Sequence, residues 1–115
     1  MSTKLAACVW YCGDIDATMV FYQTLGWVFA KEQHGMSPVH YSSEINGWIL
    51  ELYPCSPQNP VTHVRLEVKV SDFYTVIQDL YNNGFINLEK LAESKLTKHC
   101  LVSDPDGRKI IITSL

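Results

Sequence analysis

The sequence predicts an α+β fold of tandem βαβββ modules, curved mixed sheets with their helices on the outer face. Two observations carry that prediction. First, the chain repeats itself. Asp14 and Asp72, each placed to cap a helix, stand 58 residues apart, and so do Gly26 and Gly84, each placed to stop one. Gly47 and Gly107, each in a hairpin turn, stand 60 apart, and an aromatic residue, Trp27 or Phe85, follows each stop glycine. Second, within each copy the apolar spacing changes from that of a strand to the three-and-four spacing of a helix and back.

Taken in order, Leu5 to Tyr11 reads as a strand, a short apolar run with Val, Trp and Tyr. Asp14 or Asp16 can cap the helix that follows, whose apolar face is Ile15, Met19, Tyr22 and Leu25. Gly26 supplies its stop. Strands are expected at Trp27 to Gln33, Val39 to Ser43 and Trp48 to Tyr53. The last two flank Asn46-Gly47, because both central residues of a type I′ turn need positive φ. Pro54 to Pro60 holds three prolines and reads as a linker. The pattern then restarts. Val64 to Val70 is a strand, Ser71 or Asp72 a cap, and Phe73, Val76, Ile77, Leu80 and Tyr81 a helical stripe stopped by Gly84. Strands are expected at Phe85 to Leu91, Thr97 to Ser103 and, after the turn Asp104-Pro105-Asp106-Gly107, at Lys109 to Thr113. The expectation is a single domain, 1–115, with half-modules of about 1–55 and 60–115.

Composition narrows the partners. The net charge is -3, and no basic stripe is present, which argues against nucleic acid and mildly favours neutral or cationic small ligands. No apolar run approaches the roughly 18 residues of a membrane span, and the amino-terminal residues lack the pattern of a signal peptide. A cytoplasmic location is therefore expected, with Cys8, Cys12, Cys55 and Cys100 reduced and acting as small hydrophobic residues. There is no glycine-rich phosphate loop and no nucleophile elbow.

Gly13-Asp14-Ile15, the run Phe21-Tyr22-Gln23-Thr24-Leu25-Gly26-Trp27, Ser71-Asp72-Phe73 and the ending Asp104-Pro105-Asp106-Gly107-Arg108-Lys109-Ile110 together resemble the vicinal-oxygen-chelate superfamily, which includes glyoxalases and bleomycin-resistance proteins. The resemblance covers nearly the whole chain. It implies sheets curving around a cavity, and homodimers. It also implies, in the metal-dependent members, four ligands on the first, fourth, fifth and last strands. Measured from the nearest landmarks, those positions are Ala7, Glu51, Arg65 and Ile111. Only Glu51 can ligate; alanine and isoleucine lack donors and arginine repels a cation.

Strand parity gives the residues expected to face the cavity. On the first strand these are Ala7, Val9 and Tyr11, on the fourth Ile49, Glu51 and Tyr53, and on the last Ile111 and Thr113. Val64, Leu66, Val68 and Val70 should face the helices. His63, Arg65, Glu67 and Lys69 then face the cavity, an interface or solvent. Tyr11, Tyr41 and Tyr53 are the candidates for ligand stacking, Trp10 for the core, and Trp27 for the cavity rim or a dimer contact. The expected ligand-binding set is thus Tyr11, Tyr41, Ile49, Glu51, Tyr53, His63, Arg65, Glu67 and Ile111. The expected function is metal-free binding of an aromatic or cationic small molecule, as in drug or metabolite sequestration, with no cofactor. Two alternatives stand. One is a metal-dependent lyase, isomerase or dioxygenase whose rearranged ligands come from Glu51, His63 and one of His34, His40 and His99. The other is an interaction protein with a closed cavity.

Overall fold

The computed structural model describes residues 1–115 and divides into two units, Met1–Thr62 and His63–Leu115. Both are mixed α+β, as the sequence predicts.

The first unit runs β1 (Ala7–Cys12), α1 (Ile15–Gln23), β2 (Ala30–Glu32), β3 (His40–Ile45) and β4 (Trp48–Pro54). Its sheet has the order β1-β4-β3-β2, with β1 parallel to β4 and the other pairs antiparallel. Asp14, not Asp16, is the cap of α1, and its Oδ1 accepts the Asp16 and Ala17 N–H groups at 2.9 and 3.1 Å. Gly26, at φ 92°, ends the helix. Its N–H reaches the Gln23 carbonyl, and the Trp27 N–H reaches that of Tyr22, which also accepts the Leu25 N–H. Trp27 stacks on Tyr22 at 5.0 Å, so it is tied up in the helix stop rather than offered to a rim. This also shortens β2 from the expected Trp27 to Gln33. Asn46 and Gly47 both have positive φ, as their hairpin requires. Trp10, Phe21, Tyr22, Leu50 and Leu52 form the core where α1 packs on β3 and β4. Each contributes on the order of 1.5–3 kcal/mol by leaving water.

The second unit runs β5 (Arg65–Val70), α2 (Phe73–Asn82), α3 (Leu88–Thr97), β6 (His99–Ser103) and β7 (Lys109–Ser114), with sheet order β5-β7-β6. Asp72 caps α2, accepting the Thr75 N–H at 3.4 Å. Gly84 repeats the stop of Gly26, with the Gly84 N–H on the Tyr81 carbonyl and the Phe85 N–H on that of Leu80. Val76, Ile77 and Leu80 are buried beneath α2, as the stripe predicts.

One expected element is corrected. Phe85 to Leu91 is not a strand; helix α3 takes its place. Asn87 caps α3, its side chain accepting the Lys90 N–H at 2.8 Å, and the first turn carries Glu89. The run Leu88-Glu89-Lys90-Leu91-Ala92-Glu93 consists of strong helix formers. Leu91 is buried, and Lys98 closes the helix in the left-handed conformation. The Asp104 to Gly107 turn forms as expected, and Arg108 lies fully buried in it, paired with Asp104 at 3.0 Å and Asp106 at 3.1 Å. No disulfide joins the four cysteines. No helix is long and apolar enough to cross a membrane.

Candidate functional site

In the first unit α1 covers one face of the sheet. The opposite face is set by register: Ala7 lies beside Ile49, Val9 beside Glu51, Tyr11 beside Tyr53, and Ser42 on the other side of Glu51. The two-residue hairpin pairs Ile45 with Trp48 and so carries His40 to the level of Tyr53. Val9 and Ile49 remain 39% and 41% exposed, large apolar side chains on a face that no helix covers.

His40 sits at the centre of this face. It is fully buried, and its ring lies flat on that of Tyr53, 4.2 Å between centroids and 10° between planes. Tyr11 leans on Tyr53 at 6.3 Å. The His40 Nδ1 is 3.1 Å from the Pro38 carbonyl. A carbonyl only accepts, so Nδ1 carries the hydrogen and Nε2 points the other way. There it meets the Tyr53 hydroxyl at 3.3 Å and Glu51 Oε2 at 3.4 Å. Tyr53 also reaches Glu51 at 3.5 Å. Burial, followed by the Glu51 charge and its hydrogen bond, pushes the Tyr53 hydroxyl above its ordinary pKa, so it remains a proton donor at neutral pH.

His34 and Glu32 lie at the edge of the same face, 3.0 Å apart, with the His34 ring 5.4 Å from that of His40. The sequence offers His34 and His40 as alternative ligands beside Glu51 and His63, but does not single out Glu32. A signal was present. Glu32 and His34 are two residues apart, which in an extended chain puts both on one face.

Tyr41 is corrected. It pairs with Leu52, not with a residue of the open face, and so points at α1, where its hydroxyl donates to Asp16 at 2.6 Å. That hydrogen bond, then burial and the charges of Asp16 and Asp14, raise its pKa. Of the expected set, Tyr11, Ile49, Glu51 and Tyr53 share the open face of the first sheet.

The remainder belongs to the second unit. Arg65 and Glu67 are exposed on β5, alternating with the more buried Leu66, Val68 and Val70. Arg65 pairs with Lys109, and Glu67 lies opposite Ile111, which has Leu101 on its other side. His63 is exposed and precedes the strand.

The metal of the family named above fails a fit test on these sheets. The strand neighbours of Glu51 on the open face are Val9, an alkyl side chain, and Ser42, a neutral hydroxyl. Arg65 stands beside a second cation, Lys109, and Ile111 is an alkyl side chain. A divalent ion needs several converging donors, and these positions do not supply them.

No known family profile matches the sequence, and no curated protein matches it. Solved structures do. One is ChaP-H2, described as an oxidase, at 17% identity and a TM-score of 0.69 over 100% of this chain and 95% of that one. Another is TnmS3, an antibiotic-binding protein from Streptomyces sp. CB03234, at 18% identity and 0.64 over 98% and 96%. A third is the glyoxalase I of Leishmania major, at 17% identity and 0.65 over 98% and 87%. The chain has the vicinal-oxygen-chelate fold. Identities this low speak to fold alone, and the vicinal-oxygen-chelate fold hosts both enzymes and binding proteins, so activity has to be argued from the site.

Proposed function

We propose that this protein binds a small aromatic or cationic organic molecule, without a metal at the four strand positions of its fold family, and does not transform it. The observation that carries this reading is the aromatic shelf of the half-buried Tyr11 and Tyr53, the latter backed by the buried His40 ring, with the Glu51 carboxylate at its margin. Ring faces attract planar and cationic groups, and a half-buried carboxylate attracts the charge of a cationic one. Ile49 and Val9 extend the shelf with apolar surface. On the second unit, His63, Arg65, Glu67 and Ile111 are the proposed polar and apolar contacts. The antibiotic binding stated for TnmS3 supports the reading by analogy of fold. The proposed assembly is a homodimer, which would cover the apolar Val9, Ile49 and Leu101, and light scattering in solution reads it directly.

The test is calorimetric titration, in the presence of a chelator, with proflavine and with metal-free bleomycin. At least one probe should bind saturably. Glu51→Ala and Tyr53→Ala should each weaken that binding, by about 0.5–2 kcal/mol for a cation–ring or charge contact, while circular dichroism stays unchanged. No saturable binding of either probe, or wild-type affinity in both variants, would sink the reading.

A further inference from the structure

The ligand shelf leaves Glu32 and His34 without a role. Together with His40 they place one carboxylate oxygen and two imidazole nitrogens within 4.8 Å of one another. We propose that Glu32, His34 and His40 form a site for a divalent first-row transition ion, zinc foremost, at the β2–β3 edge of the first sheet. None of these residues lies on β1, β4, β5 or β7, so the site is separate from the four strand positions tested above.

The chemistry of the donors carries the proposal. The hydrogen that His40 gives to the Pro38 carbonyl fixes its tautomer and leaves Nε2 as the nitrogen with a lone pair to offer. Imidazoles that ligate metals are commonly held in this way, by a backbone carbonyl on the far nitrogen. Glu51 Oε2 stands 3.4 Å from Nε2, while the Tyr53 hydroxyl, 3.3 Å from Nε2, belongs to a ring stacked on the imidazole face. In the neutral ring, Nε2 and the Glu51 carboxylate face each other with no hydrogen of their own between them. A cation remedies this. Glu32 and Glu51 together carry the two negative charges that balance a divalent ion, with Glu32 as ligand and Glu51 as neighbour. Ligand atoms around a tetrahedral zinc ion are roughly 3.3–3.5 Å apart, as follows from zinc–nitrogen and zinc–oxygen lengths near 2.1 Å. Contraction to that spacing needs only side-chain rotation. His40 is buried and tied to Pro38, whereas the His34 side chain is 70% exposed and that of Glu32 34%, which leaves both room to rotate toward it. Two imidazoles and a carboxylate select zinc, cobalt or nickel over magnesium or calcium, which prefer an all-oxygen shell.

The experiment is titration of the full-length protein with zinc by calorimetry and with cobalt by visible absorption, which reports coordination geometry. One ion should bind per chain. His34→Ala and Glu32→Gln, at positions where the fold does not depend on the side chain, should each lower the affinity by at least about tenfold. Cys55→Ser and His99→Ala should change nothing. The absence of saturable one-to-one binding, wild-type affinity in either His34→Ala or Glu32→Gln, or a thiolate-to-cobalt charge-transfer band would each overturn the proposal. Ligand binding is measured in chelator, so failure of this site and failure of the ligand shelf are read separately.

Discussion

The two units begin alike and then part. Each opens on a strand, enters a helix over an aspartate cap, leaves it through a glycine followed by an aromatic, and returns a strand parallel to the first, β4 beside β1 and β7 beside β5. They differ in the stretch after the glycine. In the first unit that stretch is the short edge strand β2, and it carries Glu32 and His34 to His40. In the second it is helix α3, and no histidine joins the sheet's open face from it. The hairpins differ too. Asn46 and Gly47 make the first turn by backbone conformation alone, whereas the second is built around the buried Arg108 and its two aspartates. The repeat therefore specifies a frame of strand, capped helix and parallel return. The polar chemistry sits where the copies diverge.

The largest test of that contrast is Arg108→Met. It leaves Asp104 and Asp106 without their cation, and removing one partner of a buried pair should cost about 3–5 kcal/mol in urea unfolding followed by far-ultraviolet circular dichroism. A loss below about 1 kcal/mol would mean that the second turn, like the first, stands on its backbone.

The caps come next. Asp14→Ala should cost about 1–2 kcal/mol and Asp72→Ala about 0.5–1 kcal/mol by the same measurement, because Asp14 accepts two N–H groups at 2.9 and 3.1 Å and Asp72 one at 3.4 Å. Equal losses would remove this difference between the units.

Lys98→Gly should act in the opposite direction and stabilise by roughly 0.5–1 kcal/mol, since Lys98 holds φ 58° at the end of α3, a conformation costly for side chains and free for glycine. Destabilisation would point to a strand-like segment, as in the first unit.

The smallest effect is alkaline. Folding raises the pKa of Tyr41 and Tyr53, so the folded chain holds these protons longer than the unfolded one. Their contribution is fully present below about pH 10 and falls as pH rises through the folded values. Spectrophotometric titration should show a late-ionising tyrosine class, diminished in Tyr41→Phe. A single transition at the free-tyrosine value would contradict it.

The second-unit strand expected at Phe85 to Leu91 was lost because the first unit served as its template. Local chemistry said otherwise: Asn87 at a cap position, Glu89 behind it, then leucine, lysine and alanine at helical spacing. Tyr41 was misplaced for a simpler reason. The turn at Asn46-Gly47 pairs position 45 with 48 and hence 41 with 52, so its face could have been counted from the turn.

From sequence alone the chain determined where its first two capped helices begin, its glycine stops, its two hairpins, the alternation of β4 and β5, and the lack of donors at Ala7 and Ile111 and of a usable one at Arg65. These depend on residues near one another along the chain, where backbone geometry ties spacing to direction. Tertiary structure decided the rest. It buried His40 against Tyr53, aimed its Nε2 at Glu51, and brought up Glu32 by pairing β2 with β3 and His34 from the seven-residue connection, Gln33 to Val39, between them. Spacing within a strand states which face a side chain takes. Which residue it meets across the sheet depends on how a loop closes and on what packing buries, and both are settled only when the strands pair.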